Sequence, residues 1–137
     1  MLDASVLTHR RYLTTVLLAR GFAAPAAVFA ISLACSAADL YETVPWIDVP
    51  MHLAGGAAIA YLASVCLRAA KPSREARSPA LVLIVATFFA AVLWEVSEFA
   101  LYELTGAPEF LGMADTLGDV VTGLVGAAAF AYGARAA

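Results

Sequence analysis

The segment Leu81 to Leu104 constrains this chain more than any other. It is twenty-four residues long and almost wholly apolar, yet Glu95 and Glu98 lie well inside it. At ~1.5 Å per residue a helix of that length extends about 36 Å, enough to cross a bilayer. The two carboxylates are three residues apart and so share one helix face. A carboxylate at such a depth costs several kcal/mol unless something offsets it, which marks Glu95 and Glu98 as functional candidates.

The rest of the chain has the same character. Of its 137 residues 63% are hydrophobic, against the ~45–50% of soluble domains. No Lys/Arg run is interleaved with aromatics, which argues against nucleic acid as a partner. Three further apolar segments match the first, so the expected fold is all-α: a single-domain integral membrane four-helix bundle over residues 1–137. Its spans are about 21–38, 46–67, 81–104 and 113–132. Residues 1–20 carry His9, Arg10 and Arg11 and then an apolar run broken by Arg20. They read as a short N-terminal interfacial helix, with one long first span and a snorkelling Arg20 as the alternative. Pro25 and Pro50 fall in the first turns of their spans, where proline is tolerated. Tyr41 and Trp46 fit an interfacial belt, whereas Trp94 is too deep for one and reads as packing. Cys35 and Cys66 lie near opposite ends of their helices and are expected to be buried and free.

Charge sorting gives the orientation. With four spans, all eight basic residues (Arg10, Arg11, Arg20, Arg68, Lys71, Arg74, Arg77 and Arg135) fall on one side, with both termini and the 68–79 loop. The positive-inside rule makes that side cytoplasmic and the membrane the inner one. Asp39, Glu42, Asp48, Glu95, Glu98, Glu103, Glu109, Asp115 and Asp119 fall on the other half, without any Lys or Arg. Residues 105–109 read as the turn there.

Three spans carry polar pairs at helical spacing: Asp48 and His52, Glu95 and Glu98, Asp115 and Asp119. His52, Glu98 and Asp119 each come about six residues inside the outer end of their spans, roughly 9 Å deep. Glu95 is one turn deeper; Asp48 and Asp115 are one turn shallower. Gly118, Thr122 and Gly126 form a small-residue stripe on the last span, and Gly55 and Gly56 follow His52, so close helix approach would gather the pairs. Five carboxylates converging without a basic partner repel one another, so either several are protonated or a cation binds. Carboxylates with one imidazole suit Mn, Zn, Fe, Mg or Ca. Asp48, His52, Glu95, Glu98, Asp115 and Asp119 are all candidate ligands, and Glu95, Glu98 and His52 are the acid–base candidates. Plainer roles exist for each. Asp48 and Asp115 are near helix starts, where Asp caps; His52 alone would read as a core histidine; Glu98 could reach water. Glu95 has the least structural explanation. Glu103, Glu109, Asp39 and Glu42 read as a solvated acidic rim.

The order Asp-x3-His, Glu-x2-Glu, then Asp115-Thr116-Leu117-Gly118-Asp119 and glycines resembles two groups of small bacterial membrane proteins, the YjdF-type and the VanZ-like families. The resemblance covers roughly Trp46 to Gly126 and is closer to the YjdF type in the last motif. Val49 stands where these families often have Lys, and Leu53 where an aromatic often follows the His. The resemblance implies that Asp48, His52, Glu98, Asp115 and Asp119 act together; it names no substrate.

Three functional readings follow. The first is metal-dependent hydrolysis of an ester or phosphate bond in a lipid or lipid-linked substrate entering from the outer leaflet, with Glu95 preferred as general base. The second is proton- or cation-coupled transport, which four spans would serve as a homo-oligomer. The third is a non-catalytic resistance or scaffold factor in which the acids are interhelical hydrogen-bond glue. The topology is testable directly: cysteines introduced at Ser73 and Ala107 should label from opposite sides of the membrane, and labelling from one side would refute it.

Overall fold

A backbone that crosses a bilayer has no water to bond with, and an α-helix satisfies its groups internally. The computed structural model describes residues 4–70, 79–105 and 112–136, and every regular element among them is helical. The elements are α1 (Ala4–Ala37), α2 (Leu40–Thr43), a 3₁₀ turn (Pro45–Ile47), α3 (Asp48–Ala70), α4 (Ala80–Thr105) and α5 (Met113–Ala136). Four helices are long and apolar enough to cross a membrane: Thr15–Ala37, Asp48–Ala70, Ala80–Thr105 and Met113–Gly133. Most of the 68–79 basic loop and the turn at 106–109 lie outside the described residues.

α1 runs unbroken through Arg20, so the N-terminal segment and the first span are one helix of 34 residues. At ~1.5 Å per residue it is about 51 Å long, longer than a hydrocarbon core. Its apolar part begins only at Thr15. Pro25, expected in a first turn, is therefore internal to the helix. Proline there removes one backbone donor, a loss that helices in membranes tolerate. After α1 the chain turns at Asp39, in the left-handed region at φ 53°. The Tyr41 hydroxyl then shares a 2.8 Å hydrogen bond with Ser32 on α1, tying the connection back to the helix. Pro50 is in the first turn of α3, as expected. Cys35 is buried, but Cys66 is exposed on the bundle's outer surface, and both are free.

α3 is the central helix. Gly21 of α1 faces Val65 and Leu62, and Gly55 meets Val28, so α1 and α3 run antiparallel. The closest packing is between α3 and α5, which are not consecutive spans. Gly56 opposes Gly123, Gly126 opposes Leu53 and Ala57, and Tyr61 packs edge-on against Phe130. Numbering increases together along both, so the two helices are parallel. A methyl on Gly56 would come within 2.6 Å of the Gly123 carbonyl carbon, and one on Gly126 within 2.9 Å of the Leu53 carbonyl carbon. The backbones are in direct contact.

One turn further, Ala60 and Ala127 are fully buried against Ala131 and against Ala80 and Leu83 of α4. This is small-xxx-small packing, the usual basis of helix association where lipid removes any hydrophobic drive. The contact face of α5 is Gly123, Gly126 and Ala127; Gly118, expected on that face, meets open space. The large apolar side chains point outward, with Leu81, Phe89 and Leu93 of α4 and Leu117, Val121 and Val125 of α5 exposed for lipid contact.

Gly56→Val and Gly126→Val are each expected to lower the melting temperature in detergent, by ~1–3 kcal/mol or more of overpacking. Gly118→Ala, placed in open space, should be neutral or slightly stabilising.

Candidate intramembrane acidic site

The α3–α5 contact sets the register of the polar residues. With His52 on the turn before Gly56 and Asp119 on the turn before Gly123, the two side chains meet at one end of the bundle. His52 Nε2 is 3.2 Å from Asp48 Oδ1 and 3.7 Å from Asp119 Oδ1. Asp48, His52 and Asp119 each offer a ligand atom, and these atoms lie within 4.8 Å of one another, a group that could hold a metal ion. Their side chains are only 26%, 15% and 10% exposed. Asp48 has helical backbone angles (φ −60°, ψ −45°) and its carboxylate goes to His52, so its role exceeds that of a cap.

α4 completes the site from the third side. Glu95 is 5% exposed and faces His52, Asp48 and the Thr116 hydroxyl. Its Oε1 has no hydrogen-bond partner among the described residues. Such an atom is unusual: buried polar atoms are nearly always satisfied, and an exception points to a missing water or ion. Glu98 is half-buried beside Glu95 and the Trp94 indole. Trp94 packs edge-on against Phe29 of α1, the packing role expected for it. Asp115 is half-buried in the first turn of α5, within electrostatic reach of Asp48 and His52.

Of the six expected site residues, the structure joins Asp48, His52 and Asp119 tightly, with Glu95 within electrostatic reach of His52 and Asp48. Glu95, Glu98 and Asp115 stand outside that metal-sized group. The equal depth of His52, Glu98 and Asp119 is thus less telling than the face each occupies. Two polar neighbours were given no part in the site by the sequence. Thr116, inside the Asp115–Asp119 motif, faces Glu95. Tyr41 lies over the same end of the bundle, where burial raises its phenol above the ordinary value. The Ser32 hydrogen bond opposes that shift, and the charges of Asp48 and Glu98 add to it. Among the described residues, His52 is the only basic group in an ion pair with these acids.

A family model described as "Predicted membrane protein (DUF2238)" matches residues 4–137. The chain belongs to this family. YjdF is a DUF2238 member, so that side of the resemblance holds, whereas a VanZ-like relationship is not shown. No curated protein and no solved structure matches the chain. DUF2238 membership agrees with the four apolar helices and with lipid as a neighbour of this protein.

Glu95→Gln keeps the shape of the side chain and removes its charge. In metal-free detergent solution this substitution is expected to raise stability, by ~1–3 kcal/mol for removal of a buried charge among like charges. Thermal melts with chelator present test this, with the exposed Glu103→Gln as the control that should not change.

Proposed function

We propose that Asp48, His52 and Asp119 hold a divalent cation near the outer face of a bacterial inner membrane. The protein would use it to hydrolyse an ester or phosphate bond of a lipid or lipid-linked substrate. The observation that carries this reading is the convergence of the three ligand atoms within 4.8 Å. The residue chemistry supports it: one imidazole with carboxylates suits Mn, Zn, Fe, Mg or Ca, and the nearby Glu95 Oε1 has no hydrogen-bond partner among the described residues. The eight basic residues on the opposite side in the four-span topology support cytoplasmic termini and an outward-facing site.

A cation in such a site supplies Lewis acidity to a water or a substrate oxygen, lowering the pKa of the water toward ~7. The chain's own residues do the rest. Asp48 and Asp119 reach the same nitrogen of His52 from two helices, so the three groups would turn their ligand atoms to one cation. The hydroxyl of the attacking water would go to the acyl or phosphoryl centre and its other proton to the leaving alcohol. Glu98, more exposed than Glu95 and nearer the aqueous end of α4, would carry that proton. The outward apolar faces of α4 and α5 would put lipid beside the bundle.

A chelator is expected to lower the melting temperature of purified wild-type protein, and added Mn, Zn or Mg to restore it. A ligand at a hundredfold excess over its dissociation constant stabilises the folded state by ~2.7 kcal/mol. His52→Ala and Asp119→Asn should lose the chelator effect together, and metal-loaded protein should release product from lipid esters or phosphates. If the chelator leaves wild-type melting unchanged at neutral pH, the acids hold protons instead and the hydrolase reading falls in favour of proton-coupled transport.

A further inference from the structure

We infer that the seam between α1 and α3, at the end of the bundle away from the acids, binds the phosphate of an anionic phospholipid between Arg20 and Arg68. Gly21 packs closely on α3 there: a methyl on it would lie 3.1 Å from Val65 Cγ1 and 3.2 Å from Leu62 Cδ1. Arg20 precedes Gly21 by one residue, ~3.8 Å along the chain. Arg68 follows Val65 by about one helical turn, ~5.4 Å. Both arginines are exposed, and neither enters an ion pair among the described residues.

Helix geometry puts both on one side of the seam. Arg20 is turned about 100° around α1 from Gly21, and Arg68 about 90° around α3, in the same sense, from the midpoint of Leu62 and Val65. Because α1 and α3 run antiparallel, those two rotations lead to the same side. Phe29 is turned about 80° the other way from Gly21, and it meets Trp94 of α4. The arginines thus occupy the side of the seam that α4 does not cover. Ala24 and Ala27 follow Arg20 at four and seven residues, on the same side of α1. An acyl chain below the headgroup would rest on small side chains there.

Membrane sidedness alone does not account for this placement, because loop charges beyond the spans set it. Arg20 lies five residues inside the apolar span Thr15–Ala37, and Arg68 lies inside the span Asp48–Ala70. At such a depth an arginine lays its stem along apolar surface and lifts its guanidinium to the headgroup level. The register of Gly21 with Leu62 and Val65 sets Arg20 only about one turn deeper than Arg68, within the span of one headgroup. A guanidinium fork matches phosphate oxygens bidentately, and basic clusters between spanning helices take anionic headgroups. The apolar surroundings of the seam favour a lipid over a free phosphate.

The test is native mass spectrometry of the purified full chain, titrated in detergent with phosphatidylglycerol or with phosphatidylcholine of the same chain length. Wild type is expected to hold one phosphatidylglycerol in preference to phosphatidylcholine. Arg20→Gln and Arg68→Gln should each weaken that binding about fivefold, and Arg20→Lys should keep most of it. Arg135→Gln makes the same charge change on α5 and should leave binding unchanged. An equal loss from Arg135→Gln would overturn the seam as the site. Equal wild-type affinity for the two lipids would overturn anionic recognition altogether. Displacement of phosphatidylglycerol by excess inorganic phosphate would overturn the lipid in favour of the free anion. The wild-type preference decides the matter even where a variant fails to fold.

Discussion

The backbone contact between α3 and α5 is what the rest of the molecule depends on. Gly56 against Gly123, and Gly126 against Leu53 and Ala57, let two parallel helices touch without intervening side chains. That closeness does two things at once. On one side of the contact it buries Ala60 and Ala127 into the alanine core that α4 joins through Ala80 and Leu83. On the other side it brings Asp119 to His52, and Asp48 with it. Core and site are continuous along one helix face, so a side chain added at the glycines would disturb both.

The cost of this arrangement is electrostatic. Closely approaching helices exclude lipid and water, and the acids at that end lose solvation that no Lys or Arg among the described residues replaces. Burying a charge unpaired is among the least favourable things a fold can do. Glu95 is buried there, and its Oε1 has no hydrogen-bond partner among the described residues. Phe29 and Trp94 close the α1–α4 side, and Ser32 with Tyr41 ties the α1–α3 connection over the same end. The fold thus concentrates its polar groups at one end of an otherwise apolar bundle.

Much of this was legible in the sequence, because membrane spans are written in long apolar runs and their polar exceptions stand out. The four spans, the helical start at Asp48 and the pairing of Asp48 with His52 all follow from spacing. The choice of neighbours does not. Sequential spans were the natural partners, yet α3 packs most closely on α5, because Gly56 and Gly123 permit an approach that short loops do not dictate. Of the stripe Gly118, Thr122 and Gly126, Gly126 does lie on the contact face, which it shares with Asp119 and Gly123, whereas Gly118 meets open space. The separation of Glu95, Glu98 and Asp115 from the metal-sized group likewise depends on helix rotation, which depth along a span does not encode. Pro25 misled in another way, since proline marks a helix start in water but is carried inside a helix in lipid.

The central claim is that the converging acids are balanced by metal and not by protons, and infrared difference spectroscopy addresses it most directly. Spectra of chelated and Mn-loaded protein at neutral pH would be compared in the carboxyl region. Binding should abolish the carbonyl band of protonated carboxylic acids and increase the bands of ionised, coordinated carboxylates. Asp119→Asn should remove most of that change. A wild-type difference spectrum without any carboxyl signal would contradict the account.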